Sequence, residues 1–185
     1  MEPEQEQPKT GSALRELLET LILTVVTYLL VRTFLFETYR VVGQSMDQTL
    51  EQDQRLIVSK LSYRLHEPQR GDIIVFHDPQ DPGRNLIKRI IGLPGEILEI
   101  RSGQVFINGQ PIDEPYLGST STRSEPQIAI PDGYYFVMGD NRNNSSDSRS
   151  WGVLDTNRIV GKAAFTYWPV RLWGAAPHET YGIEP

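Results

Sequence analysis

The chain contains no cysteine among its 185 residues. Disulfide bonds, zinc–thiolate sites and cysteine nucleophiles are therefore excluded. It also lacks a concentrated run of Lys or Arg, and its formal net charge is −6. Because nucleic acid binding needs a concentrated basic face, we expect no nucleic acid partner. The three histidines lack ligand-like spacing, so we expect no metal site and no cofactor; they are His66, His77 and His178.

A long uncharged apolar run is also missing. Thr20–Val31 spans 12 residues, short of the roughly 20 needed to cross a bilayer. If Arg32 reaches the interface, the stretch extends to Phe36 and spans 17 residues. We therefore predict a single transmembrane anchor at residues 13–37, behind a disordered tail at residues 1–12.

Two alternatives to the anchor remain: a helix of a soluble protein and a cleaved signal peptide. The acidic start and the absence of small residues after Phe36 favour a retained segment. The charges on its two sides do not decide the orientation, because basic residues flank both ends.

Residues 38–185 have the pattern of a mostly β domain, a barrel or sandwich. Short apolar and β-branched stretches alternate with turn residues. They lie at Tyr39–Val42, Leu56–Ser59, Asp72–His77, Leu86–Gly92, Glu96–Ile100, Gln104–Asn108, Tyr134–Met138 and Gly161–Trp168.

Loops and turns are predicted between these stretches. Asn108-Gly109 is a strong signal for a two-residue hairpin, and Leu93-Pro94-Gly95 is typical of a tight turn. Gly118–Gln127 is polar and is predicted to be an exposed loop. Trp168–Trp173 is either an aromatic patch at a membrane interface or a strand end packed in the core.

Lys88 lies in an apolar run, Leu86–Ile91. In a strand, Leu86, Lys88 and Ile90 share one face, so the amine is a candidate for desolvation. Desolvation lowers the pKa of a lysine and allows it to act as a general base. The alternative is a lysine at a sheet edge with its ammonium group in water.

Ser45 lies in a turn-like segment, Gly43–Leu50, a few residues after the apolar segment. A serine hydroxyl becomes a good nucleophile only when a neighbouring base takes its proton. The short connection to Phe36 would place Ser45 near the bilayer surface. The alternative is a serine that closes a turn or caps a helix.

A dense polar loop follows an apolar strand at Gly139–Arg149. It fails the EF-hand calcium pattern, because the third position is Arg142 and the sixth is Ser145. A hydrogen-bonded network containing an Asp–Arg pair is the simpler interpretation, and such a network would serve the site by fixing it.

With these features together, the chain resembles the type I signal peptidases, a family of single-span serine–lysine peptidases. Four blocks carry the resemblance in the family's order: Gly43–Leu50, Arg70–Phe76, Lys88–Glu96, and Gly139–Arg142 continuing through Asp147–Arg149. The match extends from the apolar segment to about Trp168.

The resemblance implies a catalytic domain built around a coiled β-sheet, with Ser45 as nucleophile and Lys88 as general base. It implies that Met46 packs beside the dyad and that Ser145 hydrogen-bonds the Lys88 amine. Asp147 and Arg149 would form a supporting ion pair, and Asp140 and Arg142 would brace the same loop. These implied roles are expectations for the residues of this chain.

The resemblance also implies a substrate and a location. Substrates would be signal peptides of pre-proteins, with small residues at the first and third positions before the cut. The N-terminus would be cytoplasmic and the catalytic domain would lie on the outer side of the membrane, in contact with lipid. We expect a monomer.

The sequence departs from the family pattern at two positions. Gln48 stands where many members have proline, and we expect a looser turn there. Gly43 stands where some members have a serine that helps stabilise the oxyanion. The oxyanion would then depend mainly on the backbone N–H of Ser45, and losing one donor can cost roughly 2.7 to 4 kcal/mol of barrier.

Two other functions are consistent with parts of the sequence. A self-cleaving Ser–Lys repressor shares the chemistry, but it needs a DNA-binding helix-turn-helix where this chain has an apolar segment. A non-catalytic membrane-tethered β domain that binds peptides is the second alternative.

Overall fold

The computed structural model describes residues 10–118, 121–179 and 181. Most of the predicted tail, residues 1–9, lies outside the described residues, and residues 10–12 begin the first helix. After this helix, the described chain is mostly β-strand. The predicted mostly β fold class is therefore confirmed.

The N-terminal helix, α1, spans Thr10–Phe34. It begins three residues earlier than the predicted anchor and also ends three residues earlier than that anchor does. The C-terminal difference arises because Phe36 and Glu37 already belong to a strand. Its large apolar side chains are exposed from Leu14 to Phe34, and they surround the helix axis on all sides. Within the described part of the chain, no helix combines the length and the apolarity that crossing a membrane requires.

The described elements after α1 are short. The strands are β1 (Phe36–Arg40), β2 (Arg55–Ser59), β3 (Ile73–His77), β4 (Asn85–Gly92), β5 (Ile97–Arg101), β6 (Gln104–Ile107), β7 (Gln110–Pro111), β8 (Glu125–Ala129), β9 (Tyr134–Met138), β10 (Leu154–Asp155), β11 (Ile159–Trp168) and β12 (Gly174–Ala175). Two single-turn helices, α2 (Ser62–Leu65) and α3 (Ser148–Trp151), and two 3₁₀ turns, Thr156–Arg158 and Val170–Leu172, lie between them.

The strands form two antiparallel sheets. The large sheet has the order β1-β2-β11-β3-β4-β9-β10, and β12 pairs with β11. The small sheet has the order β7-β6-β5-β8. Both sheets pair strands that are distant in sequence, so the fold brings segments together that the chain keeps far apart.

Each of the eight predicted strand segments overlaps a strand of the structure. The loop predicted at Gly118–Gln127 is wrong at its C-terminal end, because Glu125–Ala129 pairs with β5. Ile128 packs against the apolar core, which gives this polar segment one buried contact on the sheet. Polarity alone therefore misassigned an edge strand as a loop.

The core explains why β3 is a continuous apolar run. Ile73 belongs to a buried cluster on one face of the large sheet, and Ile74 and Phe76 belong to another on the opposite face. A strand that is buried on both faces needs apolar residues at consecutive positions. A third cluster joins the small sheet to β9 through Phe136 and Met138.

The predicted Asn108-Gly109 hairpin is confirmed. β6 and β7 pair with Ile107 opposite Gln110, and Asn108 and Gly109 have φ of 51° and 82°. Ser102-Gly103 makes an equivalent turn between β5 and β6, with φ of 48° and 85°. Both turns have positive φ at two residues, as type I′ hairpins require.

The two turns give a matched stability test. Alanine at Gly109 should lower the free energy of unfolding by about 1–2 kcal/mol, because it must adopt a left-handed backbone conformation, although its Cβ would contact no other atom. Alanine at Gly103 should cost roughly 1–3 kcal/mol more, because its Cβ would lie 1.6 Å from the carbonyl oxygen of Ser121. Urea unfolding of Gly103→Ala and Gly109→Ala measures the difference, and equal losses would contradict it.

Candidate functional site

Ser45 lies in a turn that follows β1. Hydrogen bonds hold its own backbone and that of the preceding residue in place. The backbone N–H of Asp47 donates to Gln44 O at 3.1 Å, and that of Asn141 donates to Ser45 O at 3.0 Å. The Asn141 side chain adds a bond to Gln44 O at 3.0 Å. These bonds fix the orientation of the peptide units on both sides of Ser45, while its side chain is half-buried.

Lys88 lies on β4, and its amine contacts the Ser45 hydroxyl. Nζ is 2.6 Å from Ser45 Oγ and also donates to Ile87 O at 2.8 Å. The residue is 2% exposed. The structure therefore brings together the two residues that the sequence proposed as nucleophile and base, although they are 43 positions apart.

The surroundings of the amine favour its neutral form. Burial lowers the pKa of Lys88 from its ordinary value of 10.5 to about 8. Asp147 and Asp140 oppose this change, whereas the nearby charge of Arg84 reinforces it. At pH 7 a lysine with a pKa of about 8 is neutral in about one molecule in ten, against one in roughly 2,500 for a free lysine.

Gly43 and Met46 flank the nucleophile in different ways. Gly43 is exposed, with φ of 92°. Met46 is 1% exposed and belongs to the apolar cluster that contains Val41 and Leu56, with Ile87 packed against it. Because Ile87 adjoins Lys88 in β4, Met46 lies in the apolar layer beside the serine–lysine pair.

The predicted hydrogen bond between Ser145 and the Lys88 amine is not present. The amine donates to Ser45 and to Ile87 O instead. The buried Oγ of Ser145 has no hydrogen-bond partner among the described residues. The carbonyl of Ile87, one residue before the lysine, accepts a hydrogen bond from the amine, as the resemblance had implied for the serine hydroxyl.

The Asp147–Arg149 ion pair is present. Arg149 donates to both carboxylate oxygens, with Nη2 at 2.7 Å from Oδ2 and Nε at 2.8 Å from Oδ1. Both side chains are buried. Burial alone would raise the pKa of Asp147, but Arg149 and the Gly139 N–H outweigh it and hold that pKa below its ordinary value.

Asp140 and Arg142 each tie the loop to a residue on another part of the fold. Asp140 pairs with Arg89 of β4, with Nη2 at 2.7 Å from Oδ2, and both side chains are fully buried. Arg142 pairs with Glu114, with Nη1 at 2.9 Å from Oε2, and bonds Gly139 O at 3.2 Å. The loop is therefore fastened to β4 and to the segment after β7.

Arg89 is the residue that sequence reasoning missed. Besides Asp140, its guanidinium bonds Gly71 O at 2.9 Å and Pro177 O at 3.2 Å, and it lies 4.0 Å from the ring centroid of Tyr116. The available signal was that Arg89 shares one strand face with Ile87 and Ile91, since a charged residue on an apolar face needs buried partners.

Gln48 also departs from expectation. Its φ is 86°, which a proline ring, fixed near −65°, does not adopt. Its side-chain oxygen accepts a hydrogen bond from the Gly118 N–H. Glutamine therefore ties this turn to a distant loop, and the expectation that it loosens the turn is wrong.

A cavity of about 360 Å³ opens beside the serine and the lysine. Tyr39–Val42 lines one wall and Arg84–Lys88 the other. On the first wall the chain leaves β1, and on the second β4 pairs with β3 from Asn85 to Arg89. On its other side, β4 pairs with β9 only from Arg89 onward, so among the described strands Asn85–Lys88 has a free edge facing the cavity.

The burial of Lys88 can be tested by its effect on stability. Between pH 8 and 10.5 the unfolded lysine holds a proton that the folded one has lost, so the wild type gains about 3 kcal/mol of stability across this range. Lys88→Met has no such group. Because only the wild type gains this stability, the unfolding free energy of Lys88→Met minus that of the wild type should become about 3 kcal/mol more negative between pH 7.5 and pH 10.5.

Urea unfolding at both pH values measures this double difference. Leu86→Met, on the same strand face, changes the packing without removing a titratable group, so its difference from wild type should not change with pH. A Lys88→Met difference that stays constant across the two pH values would contradict the buried, neutral amine.

Comparison with known proteins assigns the chain to a family. The family model described as "Signal peptidase, peptidase S26" matches residues 14–168. Signal peptidase I of Leptolyngbya laminosa is 44% identical over 97% of this chain and 93% of its own. Probable signal peptidase I-1 of Synechocystis sp. is 43% identical over 90% of this chain and 89% of its own.

A solved structure matches part of the chain. The crystal structure of a signal peptidase I from Enterococcus faecalis is 35% identical, with a TM-score of 0.49, over 54% of this chain and 98% of its own. The family model and the two relatives cover most of the chain. The chain belongs to the signal peptidase family, peptidase family S26.

Proposed function

We propose that this chain is a serine endopeptidase that removes signal peptides from pre-proteins, with Ser45 as nucleophile and Lys88 as general base. The observation that carries the proposal is the 2.6 Å contact between Lys88 Nζ and Ser45 Oγ, made by an amine whose pKa is lowered by burial. Membership of the signal peptidase family supports the reaction class and the substrate.

Acylation begins with the neutral amine. Lys88 Nζ takes the Ser45 proton as Oγ attacks the scissile carbonyl carbon, and a tetrahedral intermediate forms. The resulting ammonium group gives its proton to the leaving amine nitrogen as the C–N bond breaks. The peptide that preceded the cut is then held as an ester on Ser45.

Deacylation reuses the same amine, which is neutral again. Lys88 takes a proton from water, and the water oxygen attacks the ester carbon. The ester bond to Oγ breaks, and the proton returns to Ser45. This chemistry needs neither a metal nor a cofactor.

The oxyanion is held by the backbone. The N–H of Ser45 makes no hydrogen bond to another described residue, whereas its carbonyl is fixed by Asn141. An N–H that is already oriented before the reaction stabilises a developing negative charge without reorganisation. The exposed backbone of Gly43 lies two residues away and is the second candidate donor.

The substrate binds as an added strand. The free edge at Asn85–Lys88 offers backbone donors and acceptors to an extended peptide, and the edge ends at the reacting amine. Strand addition provides affinity through the main chain, while pockets for alternate side chains provide specificity. A cavity of about 360 Å³ shared among several residues favours small side chains at the first and third positions before the cut.

The polar loop holds these groups in place. Asp147 accepts the Gly139 N–H at 3.0 Å, and Arg149 holds Asp147. Asp140 and Arg142 connect the loop to Arg89 and Glu114. Met46 supports Ser45 from the apolar side, and the Ser145 hydroxyl packs against Gly139, near the Ser45 carbonyl.

The family and α1 support a location at the membrane. The signal peptidase family is membrane-associated. The exposed apolar side chains around α1 need a nonpolar environment. Trp168 and Trp173 are also exposed, and tryptophan is enriched where proteins meet the membrane–water interface. We place a monomer at the membrane through α1, with a cytoplasmic N-terminus and the catalytic domain on the outer side.

The non-catalytic alternative gains no support from these observations. The matching relatives are named as signal peptidases, and the serine and lysine that a peptide-binding domain would not need lie in hydrogen-bond contact.

Removing either member of the dyad should abolish cleavage. We expect Ser45→Ala and Lys88→Ala to lower kcat/KM for a pre-protein by about a thousandfold or more, because neither residue acts without the other. Ser124→Ala and Lys60→Ala, which lie outside the cavity, are the matched controls. Cleavage of a model pre-protein in detergent provides the measurement, and near-normal activity in either dyad variant would refute the mechanism.

The pH dependence follows from the lowered pKa. Because the neutral form of Lys88 is the base, kcat/KM should rise about tenfold per pH unit below pH 8 and level off above it. A peptide without groups that titrate between pH 6 and 9 isolates the enzyme's contribution. A rate that is constant between pH 6 and pH 8 would show that Lys88 is not the base.

A further inference from the structure

The substrate cavity has an unbalanced charge. Two arginines, Arg40 and Arg84, are among the described residues that line it, and none of those residues carries a carboxylate. Their acidic partners, Asp53 and Asp78, lie outside the lining. The guanidinium groups therefore face the cavity, whereas the carboxylates that pair with them lie behind or beside it.

The two arginines differ in how completely they are neutralised. Arg40 bonds Asp53, whose side chain is 56% exposed, so solvent and ligands reach both members of this pair. Arg84 is 60% exposed, whereas its partner Asp78 is 1% exposed. A ligand at this surface contacts the guanidinium of Arg84 but not the buried carboxylate behind it.

Arg84 is held in a defined position. Its carbonyl accepts the Asp78 N–H at 2.9 Å, which continues the β3–β4 ladder by one pair beyond His77 and Asn85. Its Nε donates to Asp78 Oδ2 at 3.0 Å, and Nη2 donates to the same oxygen. The remaining guanidinium nitrogen, Nη1, makes no hydrogen bond to another described residue.

The spacing along β4 places Arg84 opposite a particular part of the substrate. Arg84 precedes Lys88 by four residues, which corresponds to about 13 Å of extended strand. A substrate peptide that runs parallel to β4 along this edge has the same rise per residue. If the last residue before the cut lies opposite Lys88, the residue opposite Arg84 is four positions earlier. That residue is the fifth before the scissile bond.

We propose that Arg84 is a specificity-determining residue that favours an acidic side chain at the fifth position before the cut and disfavours a basic one. This inference rests on the proposed function, because it assumes that the segment before the cut occupies the cavity. It adds a charge preference to the selection of small side chains near Ser45.

The expected effect is moderate. Arg84 is more than half exposed, and ion pairs at exposed positions change an equilibrium by about two- to fivefold. Relative to glutamine, we expect a glutamate at this position to raise kcat/KM by about this factor and a lysine to lower it by a similar one. The ratio of kcat/KM for a glutamate peptide to that for a lysine peptide should therefore be about ten.

The experiment uses the full chain in detergent and one cleavable peptide in three forms, with Glu, Gln or Lys at the fifth position before the cut. A second set carries the same changes at the second position, about 10 Å closer to Ser45 along the strand, and should show a smaller ratio. In the wild type we expect the ratio at the fifth position to fall towards one in 1 M salt, because screening weakens exposed charges.

Variants of Arg84 assign the preference to its charge. We expect Arg84→Gln to bring the ratio close to one, Arg84→Glu to invert it and Arg84→Lys to keep most of it. Arg101→Gln, on the small sheet outside the cavity, should leave it unchanged. Ratios within one variant are compared, so a general change in activity does not affect the result.

The outcomes separate this inference from the function on which it rests. A wild type that cleaves the Gln peptide with a Glu-to-Lys ratio of one, or a ratio unchanged in Arg84→Gln, overturns the role of Arg84 and leaves the peptidase intact. A wild type that does not cleave the Gln peptide overturns both. If Arg84→Gln does not fold, the wild-type ratio and its salt dependence decide.

Discussion

The site depends on keeping one buried amine neutral beside a hydroxyl. Burial lowers the pKa of Lys88, but three nearby carboxylates work against that change, Asp147 and Asp140 more strongly than Asp78. Asp147 and Asp140 are each bound to a buried arginine, Arg149 and Arg89 respectively. Pairing reduces the field that these carboxylates exert on Lys88 while leaving their hydrogen-bonding geometry in place. The ion pairs therefore allow acidic residues to organise the loop while raising the pKa of Lys88 less than unpaired carboxylates would.

Buried ion pairs are an expensive way to stabilise a fold, because the desolvation of two charges often cancels their attraction. Their arrangement here has a more direct explanation in geometry. Arg89 joins β4 to the loop at Asp140, to the turn at Gly71 and to the C-terminal segment at Pro177. Removing one partner would leave a charge unpaired in the interior, which costs about 3–5 kcal/mol. The network thus resists small displacements of Lys88 from Ser45.

Much of this molecule was predictable from local patterns, because the alternation of apolar residues and the turn residues fixes each strand separately. The contact of Lys88 with Ser45 was expected only from the family resemblance, since local patterns and spacing in the chain do not determine which segments meet. The partners of Asp140 and Arg142 were missed for the same reason: Arg89 and Glu114 reach them only in the folded sheet. The positive φ of Gln48 and the edge strand at Glu125–Ala129 were missed because tertiary contacts overrode local preference.

In the proposed mechanism, Arg84 connects the recognition of substrate to the strength of Lys88 as the base. Its positive charge helps to lower the pKa of Lys88, so a substrate carboxylate placed against it would partly cancel that effect and raise the pKa of the base. An acidic side chain would therefore strengthen binding while reducing the fraction of neutral Lys88 in the bound enzyme. Such a gain in ground-state binding improves KM more than kcat. If Arg84 favours an acidic side chain as proposed, the same contact raises the pKa of Lys88. The gain in binding is therefore not matched by a gain in the rate of the chemical step.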